Sequence, residues 1–213
     1  MSSAASGLTE PHVLAHTKRR LFPDADEPGT YAVCDTQFAT EEWLRGERID
    51  DRIRETLAPF NHVRLGSGYP DLVGVRKLES EWLAVERFGE EPPLVAIEAK
   101  GHTDTGVDTE RGIVQAYDRL GEANAAFLAA PVGTVTETDR TLARELNVGI
   151  LAVETDGHVE ALEVPRVVGN RTSDDASAIR FQAGAQGVAD RSFGLNHPKN
   201  YLGYLNEGES PAL

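Results

Sequence analysis

The chain of 213 residues contains one cysteine, Cys34, so neither an intramolecular disulfide nor a cysteine-based zinc site can form. It has no run of about 18 apolar residues, which predicts that it has no transmembrane helix. The first residues, MSSAASGLTEPH, carry neither a basic segment nor an apolar core, so we expect no secretory signal. Together these absences predict a cytoplasmic protein without a membrane partner.

Lysine is also scarce. Only four of the 21 basic residues are lysines, against 35 acidic residues and a net charge of −14. This balance is typical of proteins that work in molar salt, because 1 M salt screens charges within about 3 Å and carboxylates keep the surface hydrated. We therefore expect a halophilic archaeon as the source, with an ordinary acidic protein as the alternative. With acid spread over the whole surface, the net charge does not exclude a DNA partner.

Two short apolar segments carry the most informative residues, GSGYPDLVGV at 66–75 and LVAIEAK at 94–100. Side chains alternate between the two faces of a strand, so Glu98 and Lys100 share one face and their apolar neighbours share the other. Burying a charge costs free energy unless it is paired or bound to a metal. If Asp71 comes from the neighbouring strand, two carboxylates and a lysine converge, which suits a hard cation and an activated water.

Pro70-Asp71 and Glu98-Ala99-Lys100 resemble the motif of the PD-(D/E)XK nuclease superfamily, which includes restriction endonucleases, Holliday-junction resolvases and RecB-like nucleases. The resemblance implies an α/β fold with a restriction endonuclease-like αβββαβ core, in which helices flank a central mixed sheet. It also implies that Asp71 and Glu98 bind Mg²⁺, for which Mn²⁺ substitutes, with the Ala99 carbonyl as a further ligand. Lys100 then positions or activates the attacking water.

The resemblance predicts a metal-dependent endonuclease that acts on DNA. A nuclease-fold module that binds DNA or assembles with proteins, without turnover, is the alternative. The individual charges also have simpler explanations, a turn residue for Asp71 and an exposed ion pair for Glu98 and Lys100. Those explanations account for each residue singly but not for their joint placement.

A long helix is predicted at 41–58, capped by Thr40 and with acidic residues in its first turn. Glu42 falls at the N-terminal end of the apolar stripe that runs to Leu57. In the resembled family the first core helix often adds a glutamate to the metal site, which makes Glu42 a candidate catalytic residue and Glu47 a weaker one. The alternative is that Glu42 only interacts with the helix dipole.

A second helix is predicted at 109–121, with Ile113, Tyr117 and Leu120 on its buried face. Many relatives carry a glutamine on this helix, so Gln115 is a further candidate for the site. Gln115 lies off the apolar stripe, however, and its alternative is an exposed polar residue. The RecB-like spacing of four between Gln and Tyr is not met, since Gln115 and Tyr117 are two apart.

The remaining pattern predicts strands and helices on both sides of these segments. The strands are predicted at 30–38, 62–65, 72–75, 81–87, 94–99, 125–130, 149–154 and 158–164, and the other helices at 8–21 and 137–146. The last two strands are joined by an Asp-Gly turn and form an added C-terminal hairpin.

The chain is predicted to divide into an N-terminal helix and strand at 1–38, the nuclease-like core at 39–165, an irregular arm at 166–204 and a disordered tail at 205–213. Residues 164–204 carry five basic and three acidic residues interleaved with aromatic ones, which suits a nucleic-acid contact. Packing of the arm on the core or on a second subunit is the alternative. A homodimer stays open, because relatives that cut both strands often act as dimers.

Overall fold

Among the residues that the structure describes, six strands pair in the order in which they occur in the chain. The computed structural model describes residues 7–23, 30–43, 46, 48–76, 82 and 92–168. Its strands are β1 Tyr31–Cys34, β2 Leu72–Val75, β3 Leu94–Ala99, β4 Ala125–Pro131, β5 Gly149–Val153 and β6 Val159–Glu163. Its helices are α1 Glu10–Leu21, α2 Asp51–Leu57, α3 Thr109–Arg119 and α4 Glu137–Leu146, with a 3₁₀ turn at Thr36–Phe38. The described part is an α/β fold in which four helices flank a six-stranded mixed sheet.

The sheet changes direction at β3. Strands β1, β2 and β3 are antiparallel, β3, β4 and β5 are parallel, and β6 is antiparallel to β5. Leu72 at the start of β2 lies opposite Ile97 of β3. One residue further out, Asp71 therefore faces Glu98, and paired residues in a sheet present their side chains to the same face.

Both faces of the sheet are buried, each under its own pair of helices. Ile97 and Ala99 belong to the cluster that packs under α1 and α2. Ala96 and Leu94 belong to the opposite cluster, which packs under α3 and α4. The alternation predicted for β3 is therefore confirmed, and all six of its residues are buried.

Local capping signals explain where several helices begin. Helix α1 starts after Thr9 and has Pro11 in its first turn. Helix α4 starts with a capping box, in which the side chains of Thr136 and Asp139 each bond the other's backbone nitrogen. Both helices agree with the sequence prediction to within two residues, as do the strands β4, β5 and β6.

The predicted helix at 41–58 is wrong for the described residues before Asp51, which are 41–43, 46 and 48–50. The observed helix α2 begins only at Asp51, where the Asp50 side chain accepts a hydrogen bond from the Ile53 nitrogen. Before it, Glu42 and Arg48 form an isolated bridge around a turn that includes Gly46 at a φ of 77°. A glycine at positive φ favours this turn over a helix.

The strand predicted at 62–65 is also wrong. Leu65 forms only an isolated bridge with Gly68, and the strand that pairs with β2 on that side is β1. The predicted strand at 30–38 ends at Cys34, after which the chain forms the 3₁₀ turn. Because β1 pairs with β2 and α1 packs on the sheet, both elements belong to the same folded unit as the later strands.

No helix among the described ranges is long and apolar enough to cross a membrane. The predicted strand at 81–87, the arm beyond residue 168, the tail and Glu47 lie outside the described residues, apart from Trp82, which is buried.

Candidate functional site

Asp71 and Glu98 lie together at the end of two neighbouring strands, with Lys100 directly after β3. All three side chains are buried, with exposed fractions of 4%, 2% and 7%. Asp71 accepts a hydrogen bond from the Ala99 nitrogen on Oδ2 at 2.7 Å, which fixes its carboxylate against β3. These residues form the buried charge cluster, a name we use for Asp71, Glu98, Lys100 and Arg119. It lies at the carboxyl end of the parallel strand β3, where α/β sheets commonly bind ligands.

Asp71 is held by the backbone and by one amide side chain. Gln37 in the 3₁₀ turn donates from Nε2 to Asp71 Oδ1 at 3.0 Å. Burial raises the pKa of Asp71, and the nearby carboxylate of Asp35 raises it further, whereas the charge of Lys100 and the Ala99 hydrogen bond lower it. The structure therefore keeps an acid in a place that disfavours its charge.

Glu98 is held by an arginine that the sequence analysis left outside the site. Arg119 donates from Nε to Glu98 Oε1 at 2.7 Å. Burial first, and then the charge of Asp71, raise the pKa of Glu98 to about 8, while Arg119 and Lys100 lower it. Two adjacent buried carboxylates thus share two buried cations.

Arg119 is itself fixed by several partners. Its Nη1 donates to the Leu65 carbonyl at 3.1 Å and to Asp118 Oδ2 at 2.9 Å. The same Asp118 oxygen accepts from the backbone nitrogen and the hydroxyl of Ser67, both at 2.7 Å. The turn at 65–68 and the end of α3 therefore position the guanidinium that faces Glu98.

Lys100 lies beneath helix α3. Its Nζ donates to the Ala99 carbonyl at 3.0 Å, so the carbonyl predicted as a metal ligand already accepts one hydrogen bond and keeps its second lone pair. A Cβ at Gly112 would lie 3.0 Å from Lys100 Cγ and 2.6 Å from Leu128 Cδ1. The glycine is what lets the helix pass over the lysine side chain.

The face that α3 turns to the sheet differs from the predicted one. Tyr117 is 50% exposed, so its placement on the buried stripe is wrong. The inward residues are Gly112, Ala116 and Arg119, together with Ile113 and Leu120. Small residues face inward because Lys100 and the Glu98–Arg119 pair occupy the space between helix and sheet.

Gln115 lies on the inner half of α3 and lines a cavity next to Lys100. Its Oε1 is buried and has no hydrogen-bond partner among the described residues. The structure therefore places Gln115 on the same cavity as Lys100 of the buried charge cluster, but no described residue donates to its amide oxygen. Polar atoms left in this way are rare in folded proteins and call for an explanation.

Glu42 does not join the cluster. It is exposed on the turn with Arg48, and no hydrogen bond or ion pair among the described residues links it to Asp71, Glu98 or Lys100. The prediction that it approaches on a helical stripe is wrong because no helix forms there.

The sequence analysis missed Gln37 and Arg119, and it also missed that Glu10 is buried. Glu10 is 4% exposed in the first turn of α1, and its backbone lies so close to Gly101 that a Cβ there would be 2.1 Å from the Glu10 nitrogen. The spacing of Gly112, Ala116 and Arg119 at i, i+4 and i+7 was a signal for the arginine. No local signal pointed to Gln37, since its partner is 34 residues away.

The described residues offer a cation few ligands, and these ligands are oxygen atoms, which are hard donors. Within the described ranges, no group of three or more His, Cys, Asp and Glu side chains is arranged to hold a metal ion. Mg²⁺ is usually bound by one or two carboxylates and keeps several waters. Asp71, Glu98 and the Ala99 carbonyl fit that requirement, and a cation there would favour the charged form of two acids whose pKa values burial has raised.

Comparisons of the chain with protein-family models, with curated proteins and with solved structures found no match. A function must therefore be inferred from the fold and from the buried charge cluster. They define an α/β protein with two buried acidic residues and two buried basic residues at the carboxyl end of a parallel strand.

Proposed function

We propose that the protein is a Mg²⁺-dependent nuclease of the PD-(D/E)XK type that hydrolyses phosphodiester bonds in DNA. The observation that carries the proposal is the burial of Asp71 and Glu98 side by side, with Lys100 next to them. Adjacent buried carboxylates are costly to a fold, and such costs are concentrated at functional sites. Apart from α2, which is inserted between β1 and β2, the succession α1, β1, β2, β3, α3, β4 also follows the αβββαβ order of the restriction endonuclease-like core.

Asp71 and Glu98, with the Ala99 carbonyl, would hold the Mg²⁺, and Mn²⁺ is expected to substitute. When bound, the ion would lower the pKa of a water molecule and offset the charge that develops on the phosphate. The carboxylates present oxygen ligands, the type that Mg²⁺ prefers over nitrogen and sulfur.

The protein's own residues prepare this chemistry. The Gln37 amide and the Ala99 nitrogen hold both oxygens of Asp71, and Arg119 holds Oε1 of Glu98. Hydrogen bonds of this kind fix the orientation of metal-binding carboxylates and are worth about 10–100-fold in metal affinity or activity. Lys100 offers its buried ammonium at the Ala99 carbonyl, where it would orient the nucleophilic water and attract a phosphate oxygen.

A non-catalytic nuclease-fold module is the second candidate, and one observation favours it. Both oxygens of Asp71 and one of Glu98 already accept hydrogen bonds from the protein, and Arg119 and Lys100 balance the two acidic charges. A cluster satisfied in this way could persist as structure without turning over a substrate.

Nicking of supercoiled plasmid with Mg²⁺, Mn²⁺ or EDTA, in dilute and in molar KCl, separates the two candidates. Linear, branched and single-stranded DNA should be assayed in parallel. We expect cleavage that needs a cation and that Asp71→Asn abolishes together with cation binding. Lys100→Ala should still bind the cation while cleaving about 10²–10⁴-fold more slowly.

The exposed Glu160→Gln is the control variant for these assays. Cleavage by Asp71→Asn at the wild-type rate would contradict the nuclease proposal. A wild-type protein that binds DNA but cleaves none of these substrates would favour the non-catalytic module.

A further inference from the structure

A cavity of about 360 Å³ opens beside Lys100. The loop after β3 and the first turns of α3 form its walls, and the residues that matter here are Lys100, Thr103, Thr105, Asp108, Arg111 and Gln115. Its volume is at the small end of the range of about 300–1,000 Å³ that ligand pockets occupy. It suits a single nucleotide unit rather than a stretch of duplex.

The loop that lines this cavity is closed on itself. Thr103 and Gly106 exchange backbone hydrogen bonds at 3.2 and 3.0 Å, and the Thr103 hydroxyl donates to the Gly106 carbonyl at 2.6 Å. Gly106 has a φ of 101°, which other residues rarely adopt. The wall is therefore formed in advance, and the Thr105 hydroxyl is fixed 3.1 Å from that of Thr103.

Arg111 places a cation on the cavity wall in a protein with a net charge of −14. Lys100 also lines the cavity but balances the charges of Asp71 and Glu98, whereas no ion pair among the described residues involves Arg111. Asp108 is the one acid on the wall, and its side chain caps α3 by accepting from the Arg111 nitrogen at 3.2 Å. An anion is therefore the charge that this cavity attracts.

A simple anion cannot form hydrogen bonds with all the polar groups that line the cavity. The buried Oε1 of Gln115 accepts no hydrogen bond from the described residues, and it requires a donor. Phosphate oxygens only accept. A nucleotide brings both kinds of group, since its phosphate accepts from Arg111 while its base offers N–H groups.

We propose that this cavity binds an unpaired nucleotide of the DNA strand, next to the phosphate that is cleaved. The N–H groups on the pairing edge of a base are free only when the base has left the duplex, as in single strands and at branches. The inference rests on the proposed nuclease function and deepens it. It assigns single-stranded or branched DNA, rather than intact duplex, as the substrate.

The test measures binding of the full chain to a labelled 12-nucleotide single strand and to the same sequence as a blunt duplex, in EDTA, over a series of KCl concentrations. We expect the wild-type protein to bind the single strand at least about tenfold more tightly. Arg111→Gln should weaken that binding about tenfold and reduce its salt slope by about 0.7, the value for one phosphate contact on a single strand. Gln115→Met should remove most of the preference for the single strand.

Arg52→Gln is the matched control, because Arg52 is exposed on α2, which packs on the opposite face of the sheet. Equal affinity for single strand and duplex, or Arg111→Gln binding like Arg52→Gln, would overturn the inference. Cation-dependent cleavage of the same DNA is measured alongside. Wild-type cleavage with no effect of the Arg111 and Gln115 variants would refute the cavity assignment alone, whereas the expected binding without any cleavage would refute the nuclease function alone.

Discussion

Arg119 and Glu98 form a buried ion pair, with 2.7 Å between Nε and Oε1 and with both side chains less than 7% exposed. The pair joins the last residue of α3 to β3, so the helix cannot shift without moving the carboxylate. A buried ion pair adds little net stability because desolvation offsets the attraction, but losing one partner leaves an uncompensated charge. Its structural effect is to fix where Glu98 points.

Replacing Arg119 with Ala should therefore destabilise the protein strongly. We expect the free energy of unfolding, measured by urea denaturation at pH 8, to fall by about 3–5 kcal/mol. The loss should be smaller at pH 5, where Glu98 can take up a proton. Arg48→Ala, which breaks an exposed pair with Glu41, should cost at most about 1 kcal/mol. A similar loss in the free energy of unfolding for both variants would show that the buried Arg119–Glu98 pair matters no more to stability than an exposed pair.

The free energy of unfolding should depend on pH in the way that the protonation of Glu98 predicts. Burial and the charge of Asp71 raise the pKa of Glu98 from 4.5 to about 8. Between these values the folded protein binds more protons than the unfolded chain, so the free energy of unfolding falls as the pH rises and levels off above about 8 for this group. Urea denaturation at successive pH values should show this slope, and saturating Mg²⁺ should flatten it. Glu98→Gln should reduce the slope more than Glu160→Gln, and equal slopes in the two variants would contradict the assignment.

Gly112→Ala should act on Lys100. Alanine favours a helix over glycine by about 1 kcal/mol, but the new Cβ would lie 2.6 Å from Leu128 Cδ1 and 3.0 Å from Lys100 Cγ. We expect a net destabilisation of about 1–3 kcal/mol from overpacking and a larger fractional loss of nuclease rate than of cation affinity. Thermal denaturation and cleavage assays measure the two effects. Val114→Ala, an exposed site on the same helix, should change neither, and a stabilised, fully active Gly112→Ala would show that the contact relaxes freely.

Gln37→Ala should weaken cation binding without touching a carboxylate. The variant removes the donor to Asp71 Oδ1, so the carboxylate loses part of its fixed orientation. We expect Mg²⁺ affinity, measured by titration calorimetry, to fall about 10–100-fold. Thr36→Val changes the neighbouring residue, whose hydroxyl contacts His62 instead, and should leave the affinity unchanged. Unaltered binding by Gln37→Ala would mean that the Ala99 hydrogen bond alone orients Asp71.

The parts of the fold that follow from local patterns could be predicted from the sequence. The alternation in β3 placed Glu98 and Lys100 on one face, and the antiparallel register then set Asp71 opposite Glu98. The helix at 41–58 failed because Thr40 and the following acids resemble a helix start, whereas the cap that actually operates is Asp50. When two residues are equally good helix caps, the local sequence does not reveal at which of them the helix will begin.

The part of the site that depends on distant contacts could not be predicted. Apolar periodicity placed Tyr117 inside, whereas the structure leaves Tyr117 exposed and buries Arg119. The arginine is buried because a carboxylate 21 residues earlier in the chain compensates its charge. Apolar periodicity takes no account of charge pairing, so it does not predict that a charged residue with a distant partner will be buried.

The spatial order of the strands, which repeats their order in the chain, has a consequence for folding. Each new strand is added beside the one before it, so every pairing closes a loop no longer than the connection between successive strands, and the entropy lost at each step stays modest. Asp71 immediately precedes β2, Glu98 lies on β3 and Arg119 ends α3, so all three come before β4 in the chain. The Arg119–Glu98 pair can therefore form before β4 and β5 join the sheet.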